Sequence, residues 1–72
     1  MPFKPMKLRD YLRWIGQYGW SLKKSGVDWS LINAEGRRVI LNIIVTHPGR
    51  EVIPASVKRT SQALEAEGFS QD

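Results

Sequence analysis

Seventy-two residues without a cysteine allow one small domain and exclude both a disulfide framework and a thiolate metal site. Eleven Lys and Arg stand against seven Asp and Glu, a net charge of +4, and no apolar run approaches the roughly 20 residues that span a bilayer. A single histidine argues against zinc, and the opening MPFKPMK is broken by prolines and lysines where a secretory signal needs an apolar run, so a cytoplasmic protein without metal or cofactor is expected.

The charge is unevenly placed. Every basic residue lies at or before Arg59, opposed there only by Asp10, Asp28, Glu35 and Glu51, which leaves the first 59 residues at +7. Glu65, Glu67 and Asp72 come after it without a base. Such asymmetry points to an anionic partner for the body of the domain, with solubility as the plainer reading.

In chain order, residues 1–6 carry Pro2 and Pro5 and read as a flexible N-terminal arm; 7–69 read as a single domain and 70–72 as a frayed C-terminus. From Lys7 the pattern is helical, with Leu8, Leu12 and Ile15 on the apolar stripe, Tyr11 and Tyr18 beside it, and Gly19 placed to end the helix. Trp14, at the edge of the stripe, is expected to pack at a helix–sheet seam, with base stacking as the alternative. Residues 20–25 form a short strand whose far end carries Lys23 and Lys24, residues that protect a sheet edge or hold phosphate. After Gly26, Val27, Trp29 and Leu31 alternate with Asp28, Ser30 and Ile32 as a second strand does, and Asn33-Ala34-Glu35-Gly36 supplies a turn.

The β-branched run 39–45 makes a third strand. Strict alternation sends Val39, Leu41, Ile43 and Val45 toward the helices and leaves Arg38, Ile40, Asn42 and Ile44 on the open face. There Ile32, Ile40 and Ile44 would form an apolar patch for a protein partner or a second copy. His47-Pro48-Gly49-Arg50-Glu51 is read as a loop. A second helix starts at Pro54, faces Val57, Ser61 and Leu64 inward with Ala63, and closes at Gly68 with Phe69 packed back. The order α-β-β-β-α gives an α+β two-layer sandwich, a three-stranded antiparallel sheet with both helices on one face.

The catalytic repertoire is sparse. No Gly-rich phosphate cradle, Ser-His-Asp or Cys-His spacing occurs, and His47, in a loop, is the lone group that ordinarily titrates near neutrality. Asp28 on the middle strand reads as an exposed carboxylate paired across the sheet with Arg38 or Lys23.

Taken together, Gly19-Trp20-Ser21-Leu22, Gly26-Val27-Asp28-Trp29-Ser30-Leu31, Glu35-Gly36-Arg37-Arg38-Val39 and His47-Pro48-Gly49-Arg50-Glu51-Val52-Ile53-Pro54 resemble, in order and spacing, the HicA toxin family. The resemblance runs roughly from Leu8 to Gly68 and implies a small mRNA interferase of a toxin–antitoxin pair, with a fold related to double-stranded-RNA-binding domains. Members usually carry a catalytic His within a Gly-Ser-His pattern, three residues before an aromatic; here those positions read Gly26-Val27-Asp28, with Leu31 in the aromatic place. Ala55 likewise replaces a common Gly, while His47 matches the His that often opens the His-Pro-Gly loop.

Hydrolysis of an RNA phosphodiester needs a proton acceptor and a proton donor, and an ordinary carboxylate has no proton to donate near pH 7. The resemblance therefore implies an RNA-binding domain with ribonuclease activity lost or much reduced. Lys23, Lys24, Arg37, Arg38, Arg50, Lys58 and Arg59 are the expected phosphate contacts. The rivals are an active endoribonuclease built on His47, with Asp28 the other catalytic candidate, and a module that binds an antitoxin-like protein or itself.

Overall fold

The computed structural model describes residues 3–26, 28–46 and 49–69. It is an α+β two-layer fold: a three-stranded antiparallel sheet, two helices that share its core, and a small two-stranded sheet. Strand β1 (Met6–Lys7) leads into helix α1 (Leu8–Gly16); β2 (Ser21–Ser25), β3 (Asp28–Ile32) and β4 (Arg38–Ile43) form the main sheet in that order; β5 (Glu51–Val52) precedes helix α2 (Pro54–Ala66). The molecule measures 33 × 30 × 17 Å.

The small sheet is a departure from the sequence reading. Met6, assigned to the arm, pairs with Val52, and Lys7 pairs with Glu51. The chain from Ile44 to Ile53 folds back on itself, with Val45 bridged to Val52 and the Thr46 amide donating to the Glu51 carbonyl at 2.8 Å. Arg50 sits in this reversal at φ +50°, a left-handed conformation that residues other than glycine seldom adopt. It is held there from both sides. Its amide donates to the Thr46 carbonyl (2.9 Å), and its carbonyl accepts the first helical amide of α1, from Leu8 (2.8 Å). That bond satisfies one of the free N–H groups of a helix start that has no side-chain cap.

In the main sheet β2 and β3 pair in register, Leu22 opposite Leu31 and Lys24 opposite Trp29, so the expected alternation holds there. In β4 it does not. Trp29 lies opposite Ile43, Leu31 opposite Ile40 and Ile32 opposite Arg38, so β4 fits in an extra residue at each of the two steps. Each extra residue is a bulge that reverses the facing of the residues beyond it. Ile40 and Ile43 consequently both join the core, while Leu41, expected inside, is 64% exposed. The Ser30 hydroxyl sits under the first bulge and donates to the Leu41 carbonyl at 3.3 Å.

The core consists of Tyr11, Ile15, Trp20, Leu31, Ile40, Ile43, Val52, Val57 and Leu64. On α1 the buried pair is Tyr11 and Ile15, with Leu12 turned out at 42% exposure, so the apolar stripe lies one residue away from the expected one. On α2 Val57, Ser61 and Leu64 are buried as expected, along with Ser56 and Thr60. Those polar groups are satisfied locally. Thr60 donates to the Ser56 carbonyl (2.8 Å), which leaves its oxygen to accept from the Tyr11 hydroxyl (2.7 Å); Ser56 Oγ accepts the Ile44 amide (3.1 Å). Burial, which disfavours the charged phenolate, pushes the Tyr11 phenol up to about 12.

Both helices end in the same way. Gly19 (φ +77°) and Gly68 (φ +97°) each take the left-handed position, and the next residue's amide reaches back five residues: Trp20 to the Ile15 carbonyl (3.1 Å), Phe69 to the Leu64 carbonyl (2.9 Å). The two aromatics after these glycines meet, Trp20 and Phe69 edge-on with ring centres 6.4 Å apart and Tyr18 4.7 Å from Phe69. The backbone closure at Gly68 is the one read from the sequence, while the Phe69 ring packs on Tyr18 and Trp20 at the end of the other helix.

Candidate nucleic-acid interface

All eleven Lys and Arg side chains are exposed. Among the described residues a single ion pair forms, Arg37 to Glu67 at 3.6 Å, and it lies at the surface, where such pairs contribute little. That contact belongs to the docking of the β3–β4 turn on α2. Buried Asn33 accepts the Glu35 and Arg37 amides on Oδ1 (3.0 and 2.9 Å) and extends Nδ2 to the same Glu67 carboxylate at 3.5 Å. Of the sequence-derived phosphate contacts, Arg37 is therefore already engaged, while Arg38 is exposed at the start of β4. Arg59 leans over β4 and donates to the Asn42 carbonyl (3.5 Å), and Lys58 is exposed on α2. Lys23 and Lys24 project to opposite faces of β2 by strand alternation.

Two of those residues are brought together. Lys24 and Arg50 line one groove of about 290 Å³ with Leu8, Trp29 and Val45. Strand alternation explains the lysine: opposite Trp29, it points to the helix side of the sheet, beyond the end of the core, and its ammonium stands over the Trp29 ring, 5.7 Å from the centre. A second groove of about 600 Å³, lined by Lys7, Leu8, Arg9, Leu12, Gly49 and Arg50, adjoins it, Leu8 and Arg50 forming the shared wall. Among the described residues neither groove is lined by an acidic one, and between them they gather Lys7, Arg9, Lys24 and Arg50. A further groove, against Phe3 and Trp14, differs: it is lined by Asp10, Glu51 and Glu65 as well as by Lys4 and Lys7. Trp14 itself is half-buried and packs edge-on to Tyr11, at 5.8 Å between ring centres, as a seam tryptophan does.

Sequence reasoning missed Lys7, Arg9 and Trp29 as parts of this site. Lys7 and Arg9 read as the solvated side of an amphipathic helix, and it is the pairing of β1 with β5 and the Leu8 amide bond to the Arg50 carbonyl that carry them to Arg50.

Asp28 is exposed at the start of β3 and faces Ser25, not Lys23 or Arg38; those lie opposite Ser30 and Ile32, so the expected cross-sheet ion pair does not form. His47 lies outside the described residues, as do Val27 and 70–72. Among the described residues no group of three or more His, Cys, Asp or Glu side chains is placed to hold a metal ion, and no helix is long and apolar enough to cross a membrane. In the expected partner patch Ile40 is a core residue, 6% exposed, because the bulges turn it inward; Ile32 is half-buried and Ile44 is 46% exposed. Comparison with protein-family models, with curated proteins and with solved structures finds no match to this chain.

Proposed function

We propose that the chain is a HicA-like RNA-binding protein, related to toxin–antitoxin toxins, whose ribonuclease activity is lost or much reduced and which works in the cytoplasm. The observation that carries this reading is the uncompensated cationic surface: every Lys and Arg is exposed, and a single one is ion-paired among the described residues. Such a surface neutralises backbone phosphates and releases their counterions. Asp28, in the place where the resembled family keeps its histidine, supports the loss of cleavage: the imidazole that both accepts and donates a proton near neutrality is not there.

The test is a salt titration of RNA binding beside a cleavage assay. Affinity falls steeply between low and physiological salt, and replacing Lys23 and Lys24 by Gln weakens many RNA sequences alike. Tight binding indifferent to salt, or none at low salt, would rule the reading out. Robust cleavage that survives Asp28→Ala and is abolished by His47→Ala would replace it with an active interferase.

A specific observation favours a second reading, a protein contact on the sheet: Leu41, 64% exposed on an edge strand, takes the place expected of Ile40. An antitoxin-like protein or a second copy is the partner of that reading, and a complex indifferent to Leu41→Lys would refute it.

A further inference from the structure

We propose that the groove between Trp29, Lys24 and Arg50 takes one unstacked base of a single-stranded RNA, the indole stacking on the base while Lys7, Arg9 and Arg50 track the adjoining phosphates. This rests on the RNA-binding reading and narrows it to one place and one strand state.

The groove has the parts that a single-strand site needs, an aromatic platform beside a cationic track. At about 290 Å³ the platform groove is near the lower limit of roughly 300 Å³ for small-molecule sites, room for one base rather than several. The track is the adjoining groove, whose described lining holds no acidic residue, reached past Leu8 and Arg50. A duplex would leave this platform unused, since its bases are stacked on one another and offer edges, not faces. A single strand offers every base as a free π-face, and stacking on an aromatic side chain is tolerant of sequence.

The Lys24 ammonium occupies the ring in the free protein. An exposed cation–π contact is worth about 2- to 5-fold in an equilibrium. Base stacking is worth about 5- to 150-fold, so the base displaces the ammonium. Lys24 then stays beside the nucleotide, free to meet its phosphate. The left-handed backbone of Arg50 fits the same arrangement. A non-glycine residue held at φ +50° by hydrogen bonds at both its amide and its carbonyl keeps its backbone fixed at the wall common to both grooves, from which its guanidinium can reach a phosphate in either.

The experiment compares binding of an oligouridylate of roughly ten nucleotides, within the usual site size of single-strand binders, with binding of an RNA duplex of equal length. The full chain and its Trp29→Ala, Trp29→Phe and Arg50→Gln variants are each measured at low salt. The expected result is a single strand bound about 10-fold or more tightly than the duplex. Trp29→Ala should lose about 10-fold on the single strand alone, Trp29→Phe most of that loss restored, and Arg50→Gln a salt slope smaller by about 1. Because Trp29 also packs against the core, thermal melts accompany each variant, and if Trp29→Ala fails to fold, the strand preference of the full chain and the Trp29→Phe result decide. A duplex bound as tightly as the single strand, or a Trp29→Ala loss that is equal on both or nil, overturns the proposal and leaves phosphate binding standing. An absence of binding to either RNA at low salt overturns the RNA reading itself.

Discussion

Strands β3 and β4 lie side by side in one sheet, yet they obey different rules. On β3 each residue faces opposite to the last, so Trp29 and Leu31 look to the helices and Asp28 and Ile32 look away. On β4 two extra residues reset the phase, and Ile40 and Ile43, three apart, both face the core. The apolar content of β4 therefore exceeds what its inner face can hold. Leu41 is what is left outside. A strand rich in β-branched residues announces itself through composition, but the side on which each residue lies depends on the partner's register, which is a non-local property.

The sharpest way to break this comparison is to place one charge on either side of the β4 bulge. Ile40→Lys buries an unpaired ammonium and should cost about 4 kcal/mol or more, enough to unfold a domain of this size, whereas Leu41→Lys should stay within about 0.5 kcal/mol. Urea unfolding of the two variants checks it; equal effects, or a milder Ile40→Lys, would restore the unbulged register.

A smaller effect probes the inner face without touching the sheet. The Tyr11 phenol, buried in the same core as Ile40, is pushed from 10.0 up to about 12, so the folded chain holds that proton more tightly than the unfolded one. Its contribution, roughly 2–3 kcal/mol, is complete below pH 10 and is lost as pH climbs from 10 toward 12. Tyr11→Phe should remove this alkaline limb while costing about 1 kcal/mol near neutrality through the lost bond to Thr60. Stability measured across that range should flatten in the variant; an unchanged limb would mean that another group titrates.

The smallest effect is at the bulge itself. Ser30→Ala deletes the hydroxyl bonded to the Leu41 carbonyl and should cost about 0.5–1.5 kcal/mol, visible as a lower melting temperature with RNA binding unaltered.

Locality decides how much of the fold was legible in the sequence. The helix ends were readable because a glycine and the aromatic after it close a helix within five residues: Gly19-Trp20 and Gly68-Phe69 behave so. The inner face of α2 was readable from Val57, Ser61 and Leu64, although nothing in their spacing foretold that Thr60 and Ser56 would join a hydrogen-bonded chain ending at Tyr11. On α1 the choice between Leu12 and Tyr11 was missed, since either satisfies helical periodicity and only the phenol finds a buried partner in Thr60. The candidate site was the least legible part. Lys24 and Arg50 were both named, but as members of a diffuse set; the groove that unites them with Lys7, Arg9 and Trp29 exists only after residues far apart in sequence have met.

The Asn33 turn sets a timetable for assembly. One amide oxygen gathers the Glu35 and Arg37 amides, and the Asn33 and Arg37 backbones bond at 2.9 Å, so this hairpin closes a very short loop, in about 1–10 μs for such elements. The Tyr11–Thr60 bond joins residues 49 apart and must wait for the whole chain to come together. Weakening the turn with Asn33→Ala should slow folding, whereas Thr60→Val should chiefly hasten unfolding; stopped-flow chevrons with the reverse pattern would put the helix contact in the nucleus instead.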